Sequence, residues 1–377
     1  MRGLILVITL CALILPGLAT AQDDDRGRIV TFLENQLSDG ARSVTIQGFR
    51  GALSSTAQMD LLTIADGQGV WLTLENAQLT WSRTALLRGA LQIDTLTAER
   101  LDIARAPAPE PSLNLPNTEA RDFTLPNLPV SISIDQVSID RVSLGADLVG
   151  MAVDLSVSGA AQLARGEGTA TFEINRLDGP RGVFDLDASF GNASRQLALS
   201  LLVEEDAGGL LATVLGLPDA PALRLAVDGA GPIDDFTADI ALASNGQPRL
   251  TGQVQTLRAD ATGARSIRAD LGGDITPLIL PDYRDFFGPD VSLSTQLRLM
   301  ADGAVELDAL SVNAAAITLE GTLSHAPNSA GGGPRAFDLT GRIADPDGAG
   351  PVRLPLSGGD ITVGGVDLAV AYDAAAG

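Results

Sequence analysis

His325 is the only histidine in the 377-residue sequence, and a general base or a zinc site needs partners of matching chemistry. It sits in SHAPNSAGGGP, read as a loop, where nothing nearby supplies one. Gly331-Gly332-Gly333-Pro334 follows no strand-to-helix signature, so it reads as a turn and not as a phosphate cradle. The acidic pairs Glu204-Glu205, Asp234-Asp235 and Asp345/Asp347 have the chemistry of a carboxylate dyad or a calcium site. None has calcium-loop spacing, and each is expected to be a solvated turn at a strand end. Cys11, the only cysteine, falls in the apolar leading stretch, so no thiolate or disulfide is expected in a processed chain. The residues therefore point away from an enzyme, with no cofactor and no metal expected.

Composition narrows the field further. Hydrophobic residues make up 45% of the chain, but aromatics only 4%, so the apolar surface is mostly aliphatic. With 47 acidic and 25 basic residues the formal charge is -22, which repels nucleic acid and anionic head groups. The amino end has the parts of an export signal: Arg2, an apolar stretch from Leu4 to Leu15, and Ala19-Thr20-Ala21 as a small-residue cleavage site. That stretch is shorter than the about 20 residues of a bilayer span. Residues 1–21 are expected to be a signal peptide cut after Ala21, an uncut signal anchor being the alternative.

The elements that follow must supply whatever binding surface exists. Ile29, Leu33 and Leu37 recur at helical spacing over 27–40, with Gly40 as a stop. This helix is expected to pack on a sheet end; Glu34 and Asp23-Asp24-Asp25 discourage a membrane-surface role. From Ser43 the period changes to two, in runs of five to seven residues ending at Gly, Asp or Asn, the pattern of antiparallel strands joined by short turns. Residues 22–105 form an amino-terminal helix and β domain. Residues 106–129 carry six prolines and read as a linker or an edge-covering loop. Residues 130–377 form an extended β domain, interrupted by short helical breaks at 208–218 and 277–288. The spacing implies roughly twenty strands.

Several sandwiches would need recurring linkers, and a membrane barrel would need longer strands and two aromatic girdles. The expected fold is all-β: an elongated curved sheet of many short antiparallel, stacked strands with a few short helices. At about 4.8 Å per strand it would reach on the order of 100 Å. ADGQGVWLTLENAQLTWSRTALLRG, residues 65–89, holds both tryptophans. Its alternating residues Val70, Leu72, Leu74, Leu79 and Trp81 either line a hydrophobic groove or fill a closed core against helix 27–40.

Residues 28–105 resemble the amino-terminal region of the TamB family, the inner-membrane subunit of the translocation and assembly module, related to AsmA-like proteins. The resemblance rests on the order of motifs: Gly48-Phe49-Arg50-Gly51-Ala52-Leu53, Leu62 to Asp66, Trp71 to Leu74, Leu79-Thr80-Trp81 and Ala85 to Leu91. The segments RLDGPRGVFDLDASF and GGLLATVLGLPDAPALRLAVDGAGPIDDFTADIAL extend it over essentially the whole chain. It implies a β-taco-like groove that is mostly periplasmic, associated with the inner (plasma) membrane and bridging the envelope. It also implies an outer-membrane barrel-type assembly protein as partner, and outer-membrane protein clients or phospholipids as cargo. Two features depart from the family: the leading segment looks cleavable, and the family's carboxy-terminal partner-binding domain is not seen after VGGVDLAVAYDAAAG, so the chain is expected to be a fragment or truncated. A secreted or surface β-solenoid adhesin without a transport role is the alternative function.

Overall fold

The protein is described here from a computed structural model. It describes Ser38 and residues 42–51, 54–86, 88–108, 123–126, 128, 130–257, 264–300, 304–325, 336–348, 350–355 and 361–374. The proposed signal segment 1–21 lies outside the described residues. So does the proposed helix 27–40, apart from Ser38, whose Oγ accepts the Val44 N–H at 2.9 Å.

The fold is all-β and divides into two compact units, with the break in the main chain at Ala193/Ser194. The first unit carries β1 (Ser43–Gln47), β2 (Thr56–Asp66), β3 (Gly69–Trp81), β4 (Ala90–Ile103), β5 (Ser131–Leu144), β6 (Val153–Ala164), β7 (Glu167–Arg176) and β8 (Gly182–Gly191). Two one-turn helices, α1 (Arg83–Leu86) and α2 (Ala146–Val149), join strands within it. The second unit carries β9 (Gln196–Glu205), β10 (Leu223–Pro232), β11 (Thr237–Ser244), β12 (Gln247–Leu257), β13 (Arg265–Gly273), β14 (Val291–Leu299), β15 (Val305–Asn313), β16 (Ile317–His325) and β17 (Ala336–Ile343). A small hairpin, β18 (Val352–Arg353) and β19 (Thr362–Val363), precedes β20 (Val366–Asp373). The helical breaks expected at 208–218 and 277–288 contain α3 (Leu210–Val214) and, after two 3-10 turns, α4 (Arg284–Phe287).

Within each unit every strand pairs with the next, β17 pairing with β20 across the hairpin. Neither ladder closes on itself among the described residues. One expectation is corrected. Strands run to 14 residues in β4 and β5, not five to seven, so strand length does not argue against a barrel; the open ladders do. β4 and β5 are parallel, so the chain crosses over between them through the proline-rich segment.

The length comes from bulges. In β4 the apolar residues are Leu91, Ile93, Leu96, Ala98, Leu101 and Ile103; in β5 they are Ile132, Ile134, Val137, Ile139, Val142 and Leu144. Each two-residue step alternates with a three-residue step, and the two strands match position for position. An extra residue at each long step keeps the apolar set on one face, where strict alternation would turn half of it away. β6 makes no such steps, and its register with β5 shifts after Ile134 and after Ile139.

The start of the crossover is clamped. Asp66, at the end of β2, accepts both Arg105 guanidinium nitrogens at 2.6 and 2.8 Å, the Ala108 N–H at 2.7 Å and the Gln68 N–H at 2.8 Å. Arg105 also donates to the Gly69 carbonyl at 2.8 Å. The guanidinium first, and then the Ala108 N–H, hold the Asp66 carboxyl well below the usual carboxylate range. A carboxyl with a lowered folded pKa contributes stability that is fully present above its unfolded value and lost as pH falls through the folded one. Asp66→Asn is therefore expected to lower the urea midpoint at neutral pH and to flatten its decline below about pH 4. An unchanged acid limb in the variant would show that the clamp contributes nothing.

Candidate functional site

The five residues singled out in the sequence lie on β3, and four of them face the apolar row of β4. Leu72 opposes Ile103, Leu74 opposes Leu101, Leu79 opposes Leu96 and Trp81 opposes Ile93. The step from Leu74 to Ala77 is the same parity reset seen in β4, here at Asn76, which adopts a left-handed φ of 49°. The four do not share one environment. Trp81 is buried with Leu91, Ile93, Ile132 and Ile134, and its indole N–H donates to the Ser54 carbonyl at 2.9 Å. Leu79, Leu128 and Val130 pack against that cluster. Leu72 belongs with Val44, Ile46 and Ile64 in a second cluster. Val70 lies past the register shift between Ile64 and Ala65, where it opposes Ala65, and it is 51% exposed.

The second unit carries the larger apolar surface. Starting at β9 and taking one residue per strand, a single row runs Leu201, Val227, Ile240, Gly252, Leu271, Leu293, Val312, Leu319, Gly341, Leu368. The neighbouring row runs from Leu199 to Val370, and its only polar side chain is Thr295. A third row joins Ile267, Leu297, Leu307, Leu323, Phe337 and Tyr372. None of the three holds a charge. A bulge at Asp308 keeps Leu307 in line with Leu310 and Val312. Gly321 belongs to the second row, and a Cβ there would run into the Asp338 carbonyl and the Leu339 side chain.

The opposite face is polar in register. Ser200, Asp228, Asp239, Gln253, Asp270, Ser294, Ser311 and Glu320 occupy one row. Cross-strand bonds link several of them: Ser200 donates to Asp228 at 2.6 Å, Gln253 to Asp239 at 2.7 Å and Ser294 to Asp270 at 2.6 Å.

No strand from β12 to β17 contains a buried residue, and their apolar side chains are half-buried or exposed, Ile317 and Ile343 at the rim packing against Phe286 and Val352. A sheet packed on a second layer would bury that face. Short helices border one long rim instead. Ala212 of α3 packs with Leu223 and Leu278, and Phe286 of α4 packs with Ala316 and Val352.

The residues with catalytic chemistry are accounted for separately. Glu205 is not a solvated turn: it is 4% exposed and accepts the Leu210 and Leu211 N–H groups at 2.9 and 2.6 Å, capping α3. Glu204 pairs with Arg224 at 3.1 Å and Asp234 with Arg195 at 2.7 Å. Asp345 accepts the Asp347 N–H at 3.0 Å, closing a turn. His325 is the last residue of β16, opposite Val305, and not a loop residue. A cleft of about 540 Å³ beside β15, β17 and β20 is walled by Glu306, Asp308, Asp338 and Asp373, and the first two are ion-paired with Arg298. Among the described residues no group of histidine, cysteine and carboxylate side chains is placed to hold a metal.

The comparisons are blank. No family model, no curated protein and no solved structure matches this chain. The candidate site is therefore defined by geometry alone: an uncharged aliphatic sheet face, closed in places in the first unit and open across six strands of the second.

This contrast has a measurable consequence. Leu91 is 1% exposed, and Leu91→Ala should cost about 2–5 kcal/mol. Leu293, half-buried on the open face, should cost roughly 1 kcal/mol or less on the same change. Urea denaturation of the two variants checks this, and equal losses would mean that the open face is covered in solution.

Proposed function

We propose that this chain is a TamB-like envelope subunit that carries acyl chains along the apolar face of its sheet. It would lie mostly in the periplasm, attached at the inner membrane, and work with an outer-membrane barrel partner in outer-membrane protein assembly or secretion. One observation supports the acyl-chain reading above the others: ten strands of the second unit keep an uncharged row in register while six of them bury nothing.

The energetics favour such cargo. A phospholipid with about thirty methylenes loses roughly 0.8 kcal/mol for each one exposed to water, more than about 20 kcal/mol in all. The two full rows are roughly 7 Å apart and roughly 43 Å along ten strands, and the third row adds roughly 7 Å over six strands, a footprint of roughly 450 Å². That is within the range of the largest apolar patch of an ordinary monomer, and such patches are often binding surfaces. Head groups stay in water at the rims, and carrying an intact lipid breaks no bond and so needs no base, nucleophile or metal. Attachment at the inner membrane and the barrel partner rest on the resemblance in the sequence.

A photo-crosslinking amino acid at Leu271 or Leu319 is expected to capture lipid, while one at the adjacent Asp270 or Glu320, on the opposite face, is not. The double variant Leu271→Glu/Leu293→Glu should keep its β circular dichroism and bind labelled phospholipid at least about tenfold more weakly. Labelling without regard to face, or a double variant that binds normally, would remove the groove.

A further inference from the structure

Arg284, the first residue of α4, stands without a counter-charge in a strongly acidic protein. Among the described residues its side chain forms no ion pair and no hydrogen bond, and its Nε is buried without an acceptor. Arg249, Arg298 and Arg353 of the same unit each pair with a carboxylate. A buried donor without a partner costs stability and is uncommon. The helix that carries it is fixed in place. The Ala315 and Ala316 N–H groups donate to the Phe287 and Phe286 carbonyls at 2.9 Å each. Phe286 packs with Ala316 and Val352, and Ile317 and Ile343 pack against them. These two isoleucines oppose each other at the ends of β16 and β17, on the same face as Leu319. Arg284 therefore sits two residues from the lip of the apolar face, half-buried, with no bond to stop its guanidinium from turning.

We propose that Arg284 receives the phosphate of a phospholipid whose acyl chains lie along β16 and β17. The inference rests on the acyl-carriage reading and adds the rim at which the head group sits and the group that recognises it. Ile317, Leu319, Gly321 and Leu323 follow one another on the apolar face, and the span from first to last is roughly 20 Å. An acyl chain is about 15 Å long, half of the about 30 Å hydrocarbon core of a bilayer. The tails therefore fit within the strands, with the head group beyond one end. Charge selects the end. The far ends of these strands are walled by Glu306, Asp308, Asp338 and Asp373, which repel a phosphate. At the near end Asp282 is taken up by Arg353 at 3.1 Å, and Asp285, though next on α4, makes no ion pair with Arg284. A guanidinium matches phosphate in shape and charge and can donate two parallel bonds to it. Displacement along the rows then moves the head group along this rim and past Arg284.

The test compares binding of two labelled lipids with identical acyl chains, phosphatidic acid and diacylglycerol, to the full chain. Arg284→Gln should weaken phosphatidic acid at least about fivefold and leave diacylglycerol unchanged. Arg284→Lys, which keeps the charge, should restore part of the loss. Arg268→Gln removes an exposed arginine from the polar face, where it bonds Gln296 at 3.1 Å, and should change neither lipid. Inorganic phosphate should compete only weakly with phosphatidic acid, because the tails supply most of the affinity. Phosphate binding as tightly as the lipid would make Arg284 a site for the free anion and overturn the proposal. Unchanged phosphatidic acid binding in Arg284→Gln, an equal effect of Arg268→Gln, or a loss shared by diacylglycerol would also overturn it, while the apolar face would stand. Binding of neither lipid by the unaltered protein would remove both readings.

Discussion

Strand register is the constraint on which the second unit depends. Side chains in a strand alternate with a period of two, so a one-residue slip between any two neighbours exchanges the faces of everything beyond it. A slip between β12 and β13 would bring Asp270 to the position of Leu271. The row from Leu201 to Leu368 therefore exists only because nine successive pairings all hold. Bonds between polar side chains on the other face, such as Ser200 to Asp228 and Ser294 to Asp270, reinforce those registers from behind. The polar face is thus part of what keeps the apolar face continuous.

Bulges extend the same logic to strands too long for strict alternation. The residues passed over in β4 are Asp94-Thr95 and Glu99-Arg100; in β5 they are Asp135-Gln136 and Asp140-Arg141. Each long step is a polar pair between apolar residues, so its local sequence looks like a turn. This explains where the sequence was legible and where it was not. Strand number and both helical breaks could be read from periodicity, as could the pairing of Leu72, Leu74, Leu79 and Trp81 with one face. β4 read as two shorter runs, 91–96 and 100–104, because the polar residues Thr97, Glu99 and Arg100 interrupt the alternation.

Other features were hidden because they are not local. Nothing within β4 or β5 marks them as parallel neighbours; that follows from a crossover held at its start by Asp66 and Arg105. Val70 continues the alternation in sequence, yet the register shift at Ile64 leaves it outside the face. Glu205 reads as one of a pair of strand-end acids, but α3 turns back so that its first N–H groups meet that carboxylate. In each case a distant partner decides the environment.

The two units stabilise themselves differently, and the difference bears on function. In the first, Trp81, Leu91, Ile93, Ile132 and Ile134 form an enclosed cluster whose loss would leave a cavity. From β12 to β17 each strand relies mainly on its two neighbours, through ladder bonds and cross-strand contacts worth a few tenths of a kcal/mol to about 1 kcal/mol each, with Ile317 and Ile343 also packed on Phe286 and Val352 at the rim. Stability there is distributed, as in repeat architectures where units touch only adjacent units. The face can then stay half-exposed without endangering the fold. Its aliphatic composition matters as well: aromatics are only 4% of the chain, and Gly252, Gly321 and Gly341 interrupt the rows without side chains. Leucine, valine and isoleucine attract an acyl chain by area alone, with no directional bond to fix its position. A surface of that kind favours displacement along the rows over capture at one point.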